Sequence, residues 1–185
     1  MVYIMLGTGF EETEAVAPGD VLRRAQIPMQ YVGIGGRLVE GAHGITLRAD
    51  ITAEEMDLDS MDMIVLPGGM GGVHSILDCP AALDAVRHAW AGGRWVAAIC
   101  AAPTILAKLG ITDGKKATCY PGLESQMGSA QMQSGAAAVQ DGKLLTGAGP
   151  GTAIDFGLLL VRALRGEETA KKVYDGLVYR LARPE

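Results

Sequence analysis

Short apolar runs alternate with segments of helical periodicity along the chain, and this alternation limits the possible fold more than any other feature. The apolar runs lie at residues 2–6, 27–34, 63–66 and 95–99, and helical patterns lie at 11–24, 81–91, 103–109, 152–164 and 167–181. Strands that alternate with helices form a mainly parallel sheet with helices on both faces. The sequence therefore predicts an α/β sandwich of three layers.

Smaller features add detail to this prediction. Pro18 lies inside the first helical pattern and predicts a bend or an irregular start there. Glycines at 35 and 36, with alternation at 45–49, predict a small hairpin. Further strands are predicted at 117–119 and 137–146, the second with a turn at residues 141–143. Because no repeat or linker divides the 185 residues, one domain over residues 1–185 is expected.

Composition excludes several classes of function. The net charge is −5, the isoelectric point is near 5.2, and no cluster of basic residues occurs, so nucleic acid is not an expected ligand. No apolar run reaches the roughly 20 residues of a membrane span, and the start lacks a signal-peptide pattern. We therefore expect a cytoplasmic protein without a membrane partner.

The three cysteines are Cys79, Cys100 and Cys119. This is an odd number, and the sequence has neither a CxxC motif nor a Cys/His spacing typical of zinc sites. The prediction is three reduced thiols, no disulfide framework and no metal site.

Cys100 stands where the apolar run 95–99 gives way to small residues and a proline. A residue just after a strand of a parallel sheet lies at the edge where ligands bind. A helix that starts next to it favours the thiolate and lowers the thiol pKa. Two interpretations remain open, a reactive nucleophile at a strained turn and a small buried apolar side chain.

The motif "LPGGMGG" follows the run 63–66 and lacks the Gly-Lys-Ser/Thr ending of a phosphate loop. Without side chains, Gly68 and Gly69 allow their backbone N–H groups to approach a substrate oxygen or an oxidised sulfur. A tight turn without a binding role is an equally good interpretation.

Three carboxylates follow the first strand in "GFEETEAV". At the start of a helix they are typical partners of the helix dipole. Glu14 has a second interpretation, because a side chain turned inward would be buried, would have a raised pKa and would donate a proton to a thiolate.

Four blocks of the sequence together resemble the DJ-1 (ThiJ/YajL-like) branch of the DJ-1/PfpI superfamily. They are "EETEAVAPGDVLRRAQI", "DMIVLPGG", "AAICAAPTIL" and "TGAGPGT", in the order and spacing of that family. The resemblance implies a flavodoxin-like fold, a homodimer, Cys100 as the nucleophile and Glu14 as the protonated glutamate beside it. It also implies that Gly69 and Ala101 offer N–H groups to the substrate, and that the segment around Pro150 approaches from the partner subunit.

The sequence departs from that family where other members carry a histidine. Peptidase-like members have one directly after the cysteine or further downstream, whereas here Ala101 follows Cys100 and no histidine comes after it. A peptidase is therefore not expected. In "TCYPG", Tyr120 stands where many DJ-1 proteins have a histidine; with an ordinary pKa near 10 it binds substrate rather than acting as a base. His43, His74 and His88 are expected to be structural or surface residues, with His43 nearest the site.

Two functions use the same residues. The first is a glyoxalase or deglycase without a cofactor, in which Cys100 adds to a small 2-oxoaldehyde such as methylglyoxal, and Glu14 moves the protons. The second is an oxidative-stress sensor or chaperone-like protein in which Cys100 is oxidised to a sulfinate. The sequence alone does not separate them.

Overall fold

A seven-stranded sheet forms the centre of the structure, which is a computed structural model describing residues 1–179. The strands are β1 (Val2–Leu6), β2 (Met29–Gly33), β3 (Leu38–Glu40), β4 (Thr46–Arg48), β5 (Ile51–Thr52), β6 (Met63–Leu66), β7 (Trp95–Ile99), β8 (Lys116–Ala117), β9 (Gln131–Met132), β10 (Ala138–Asp141) and β11 (Leu144–Gly147). The central sheet has the order β10-β11-β7-β6-β1-β2-β5, while β3 pairs with β4 and β8 with β9 outside it.

Neighbouring strands of the central sheet are parallel except β10 and β11, which form an antiparallel hairpin at one edge. Every residue of β1, β6 and β11 is buried. A parallel sheet covered on both faces requires such continuous apolar strands. The prediction of a mainly parallel sheet is confirmed.

Within residues 1–179, five helices surround the sheet: α1 (Glu12–Arg24), α2 (Met70–Leu77), α3 (Pro80–Ala91), α4 (Pro103–Lys108) and α5 (Ala153–Gly176). α1 and α5 pack against each other, and α3 packs on β6 and β7. Since β2 and β7 lie on opposite sides of the β1–β6 pair, right-handed crossovers place α1 and α3 on opposite faces. The sandwich of three layers is thereby confirmed. No helix in residues 1–179 combines the length and apolar character that crossing a membrane requires.

The packing of α1 on α5 depends on close contact at Gly157. A Cβ at Gly157 would lie 3.0 Å from the Cβ of Val21 and 3.1 Å from the Cα of Pro18. Pro18 therefore lies at the contact between the two helices, and it does not end α1.

Helix α2 is not foreseen by the sequence, because its residues 70–72 include two glycines, which have low helix propensity. The structure explains them. A Cβ at Gly72 would lie 2.8 Å from the Cα of Phe10, and one at Gly71 would lie 3.0 Å from the Cα of Gly9. Only glycine lets α2 approach the loop after β1 so closely.

One other prediction needs correction. The strand expected at 117–119 is shorter, and it belongs to the separate β8–β9 pair. The break expected between helices at 152–164 and 167–181 is confirmed, because α5 consists of two helical segments separated by a kink at Gly166, where φ is +81°. Leu181, the expected end, lies outside the described residues.

Candidate active site

Three segments meet at the carboxyl edge of the sheet. β1, β6 and β7 are adjacent and parallel, and they are followed respectively by Glu14 in the first turn of α1, by Gly68 and Gly69, and by Cys100. The strand order reverses at β1 and β6, because β2 lies beyond β1 on one side and β7 lies beyond β6 on the other. Open α/β sheets bind ligands at such a topological switch point.

The backbone of Cys100 is held in an unusual conformation. Its φ is +65°, which costs a non-glycine residue about 1–3 kcal/mol. Two hydrogen bonds hold it there: its N–H donates to the Gly147 carbonyl at 2.9 Å, and its carbonyl accepts from the Tyr120 N–H at 2.8 Å. The strained turn expected after β7 is thus present. The sequence did not predict that Gly147 and the backbone of Tyr120 would hold Cys100 in this conformation.

Glu14 is completely buried, with an exposed fraction of 0 %. The N–H of Gly68 donates to its Oε2 at 2.8 Å, and its own N–H donates to the Glu11 side chain at 2.7 Å, which caps α1. Oε1 has no hydrogen-bond partner among the nitrogen and oxygen atoms of the described residues. Of the three acidic residues, Glu11 serves the helix terminus and Glu14 is turned into the protein.

The Glu14 carboxyl and Cys100 are neighbours. A Cβ built on Gly68 would lie 2.7 Å from Glu14 Oε2 and 2.8 Å from the Cβ of Cys100, so both atoms flank this glycine. At this separation each group shifts the pKa of the other. A side chain at residue 68 would separate them.

Burial raises the pKa of Glu14 to about 7, against the lowering effects of Cys100 and the Gly68 N–H. The pKa of the Cys100 thiol is raised to about 12, first by burial and then by the charge of Glu14. The expectation of a lowered thiol pKa is therefore wrong, because burial and the carboxylate outweigh the nearby N–H groups. Protonation of Glu14 removes the repulsion, so the titration of the carboxyl and that of the thiol are coupled.

The N–H groups of Gly69 and Ala101 both interact with the Cys100 sulfur and lower its pKa. These are the two donors that the sequence resemblance implied. The Gly68 N–H was expected to approach a substrate oxygen or an oxidised sulfur. In the structure it donates to Glu14 instead and holds that carboxyl in place. Gly69 has a φ of +80°, a conformation that favours glycine.

Tyr120 and Pro150 border the site. Tyr120 is half-exposed, and a Cβ on Gly149 would lie 3.3 Å from its ring, which therefore packs on the Gly149 backbone. Pro150 begins a 3₁₀ turn directly after that contact. The segment thus lies beside Tyr120 of its own chain, and its approach to the partner's site stays a prediction of the resemblance.

Other candidate residues lie elsewhere. Nδ1 of His43 is 2.7 Å from Glu12 Oε2, and Glu12 also accepts the His43 N–H at 2.7 Å. These two side chains and Glu11 have ligand atoms within 4.8 Å of one another, but they serve to fix the loop after β3 and to cap α1. His74 and His88 are exposed on helices. Cys119 is buried, and burial raises its thiol pKa to about 11.

The raised pKa of Glu14 has a consequence for stability. The folded protein keeps this proton up to about pH 7, while the unfolded chain releases it near pH 4.5. Stability from this group is therefore complete below pH 4.5 and is lost as the pH rises to about 7. We expect the difference in unfolding free energy between wild type and Glu14→Gln to change by about 3 kcal/mol across this range.

Urea unfolding of both proteins between pH 4 and pH 8 measures this difference, with about pH 4.5 and about pH 7 as the turning points. Glutamine has the size of glutamate but no titrating proton, so other groups cancel in the comparison. A difference that stays constant with pH would mean that Glu14 titrates normally in the folded protein.

Comparison with known proteins agrees with this geometry. The sequence model of the DJ-1/PfpI family matches residues 1–163. This chain belongs to the DJ-1/PfpI family. The Drosophila melanogaster protein dj-1beta is 37% identical over 177 residues, which is 95% of each chain. The crystal structure of Drosophila melanogaster DJ-1beta superposes with a TM-score of 0.91, at 36% identity over 96% of each chain.

Another relative carries the name of an activity. A Caenorhabditis elegans protein named glutathione-independent glyoxalase DJR-1.2 is 31% identical over 160 residues, covering 85% of this chain and 84% of that protein. A DJ-1-type function is thus supported, and the chain resembles at least one DJ-1 protein with an enzyme name.

Proposed function

We propose that this DJ-1 family protein is a cysteine-dependent glyoxalase without a cofactor, which converts small 2-oxoaldehydes such as methylglyoxal into 2-hydroxy acids. One observation carries the proposal: a buried thiol and a buried carboxyl flank Gly68, and the N–H groups of Gly69 and Ala101 interact with the sulfur. A nucleophile, an acid/base group and donors for an oxyanion are the parts that this reaction needs.

The first step is addition of Cys100 to the aldehyde. Ionised Glu14 takes the thiol proton while the sulfur forms a bond to the aldehyde carbon, and the carbonyl π electrons move to oxygen. The N–H groups of Gly69 and Ala101 stabilise the negative charge on that oxygen. Because the Glu14 pKa is about 7, the carboxyl exchanges a proton readily at neutral pH. Proton return to the oxygen gives a hemithioacetal.

The second step moves hydrogen between two carbons. The Glu14 carboxylate removes the C–H proton of the hemithioacetal, giving an enediol, and returns a proton to the neighbouring carbon. The product is a thioester, whose S–C bond water cleaves to release the 2-hydroxy acid and the free thiol. Because one carbon is oxidised as its neighbour is reduced, the overall change is addition of one water, and no redox partner is needed.

A wider substrate range and a dimer form part of this proposal. The same addition to a carbonyl would serve a deglycase, which releases 2-oxoaldehydes bound to proteins. The exposed apolar side chains of Val16 on α1 and of Leu38 and Ile45 around the β3–β4 hairpin support a homodimer formed through this face.

The test is incubation of the purified protein with methylglyoxal in the absence of glutathione, with lactate as the measured product. We expect lactate to form as methylglyoxal disappears, and iodoacetamide treatment of the protein to stop both. Loss of methylglyoxal without lactate, in protein whose Cys100 is reduced, would refute the proposal, since trapping by surface amines also removes methylglyoxal.

Oxidation of Cys100 is the second candidate function, that of a stress sensor or chaperone-like protein. The Gly69 and Ala101 N–H groups that face the sulfur would also bind sulfinate oxygens, and a protonated Glu14 would donate to them. Peroxide titration followed by peptide mass spectrometry tests this function. Selective addition of two oxygen atoms to Cys100, in a protein without glyoxalase activity, would favour it.

A further inference from the structure

The groups around Cys100 indicate which charge the substrate carries, a property that the proposed reaction does not determine. The described groups that contact Cys100 or shift its pKa are the Glu14 carboxyl and backbone groups of Gly68, Gly69, Ala101, Gly147 and Tyr120. No lysine or arginine within residues 1–179 is among the causes of the Cys100 or Glu14 pKa shifts. Glu14 disfavours a second negative charge in the site, so the environment suits a neutral substrate.

Tyr120 adds a half-exposed aromatic ring on a residue whose backbone is bonded to Cys100. Its backbone N–H is bonded to the Cys100 carbonyl, which places its Cα close to the nucleophile. The ring packs on Gly149, two residues after the Gly147 carbonyl that holds the Cys100 N–H. Tyr120 is 47% exposed and its hydroxyl has no hydrogen bond among the described residues. A half-exposed aromatic ring with no polar partner is available for contact with a ligand.

A cavity of about 270 Å³ is lined by the chain neighbours of Tyr120. Its lining includes both chain neighbours of Tyr120, Cys119 and Pro121, and the chain neighbour of Gly149, Ala148. Met132, Ala136 and Ala137 complete an apolar wall, and the single charged lining residue is acidic, Glu124. The residues on either side of the Tyr120–Gly149 contact in the chain therefore border an apolar space.

From these observations we propose that Tyr120 is a specificity-determining residue, which selects neutral 2-oxoaldehydes with an aromatic or other bulky apolar substituent. This inference rests on the proposed function. The aldehyde carbon lies at the Cys100 sulfur, and the substituent packs on the Tyr120 ring beside the apolar cavity. Phosphorylated and carboxylated aldehydes are excluded by Glu14 and Glu124 and by the lack of a compensating cation.

The first experiment compares phenylglyoxal with methylglyoxal, two substrates that differ only in the substituent. The ratio of their kcat/KM values is measured for wild type, Tyr120→Phe and Tyr120→Ala. We expect wild type to favour phenylglyoxal, Tyr120→Phe to keep that ratio, and Tyr120→Ala to lower it by about tenfold. A ratio unchanged in Tyr120→Ala would overturn the inference, and loss of the ratio in Tyr120→Phe would assign selection to the hydroxyl instead of the ring.

A second experiment needs no turnover and separates this inference from the proposed function. Cys100 is alkylated with iodoacetamide or with its N-phenyl derivative, and the modified peptide is followed by mass spectrometry so that Cys79 and Cys119 are counted separately. We expect the phenyl reagent to react faster, and this preference to disappear in Tyr120→Ala but not in Tyr120→Phe. Equal rates in wild type would overturn the inference even if methylglyoxal is converted to lactate. A preference without lactate formation would uphold the aromatic contact and refute the glyoxalase.

Discussion

Cys100→Ser is expected to lower the rate of lactate formation by at least roughly a thousandfold. Serine has nearly the same size and keeps the backbone hydrogen bonds to Gly147 and Tyr120, so the turn after β7 is preserved. Its hydroxyl has a higher pKa than a thiol in the same surroundings and is a weaker nucleophile, so the Glu14 carboxylate activates it far less. Initial rates with methylglyoxal at neutral pH measure the effect.

Cys119→Ser is the matched control for that variant. Cys119 is also buried and its thiol pKa is also raised, but its sulfur donates to the Tyr120 carbonyl and not toward Glu14. We expect this variant to keep most of the activity. If both serine variants lost activity equally, the loss would report disturbed packing instead of a missing nucleophile.

Glu14→Gln is expected to lower turnover by roughly 10²- to 10⁴-fold, the usual range for a group that transfers a proton. The glutamine oxygen still accepts the Gly68 N–H, so the loop after β6 keeps its position. An amide neither takes the thiol proton nor moves hydrogen between the two substrate carbons. The measurement is kcat with methylglyoxal, because the loss concerns the chemical steps more than substrate binding.

Glu12→Gln is the matched control for Glu14→Gln, since Glu12 lies two residues before Glu14 in α1 and is also buried. Its carboxyl binds His43 and the loop after β3, and it contributes to neither the Glu14 nor the Cys100 pKa. We expect its turnover to change much less than that of Glu14→Gln. Equal losses of turnover in the two variants would mean that any substitution in the first turn of α1 disturbs the site. That result would argue against a proton-transfer role for Glu14.

The strands of the sheet could be predicted because buried strands of a parallel sheet consist almost entirely of apolar residues. β1, β6 and β7 are continuous apolar runs, and each was placed to within a residue. α2 could not be predicted, since the reason for its glycines is the backbone at Gly9 and Phe10, more than 60 residues away in the chain. Propensity describes a segment alone, whereas this helix exists because of a tertiary contact.

In the candidate site, too, features that depend on local sequence could be predicted, whereas features that depend on tertiary contacts could not. Cys100 and Glu14 were found from their positions after strands and from a resemblance, and the structure brings them together. The direction of the thiol pKa was predicted wrongly, because it depends on burial and on the distance to a carboxylate, and neither is visible in a local pattern. The role of Gly68 in holding Glu14, and the supports at Gly147 and Tyr120, likewise require the folded coordinates.

The hydrogen bond between Gly68 and Glu14 joins residues 54 positions apart, and Cys100 is held by segments that follow it by 20 and 47 residues. A chain that has paired β1 with β6 but has not yet added β7 and β11 therefore possesses a buried acid with no nucleophile beside it. The nucleophile acquires its surroundings only when the sheet is nearly complete. Partly folded chains would thus expose an ordinary thiol, and a change in the rate at which Cys100 is alkylated becomes a marker of the last stages of folding.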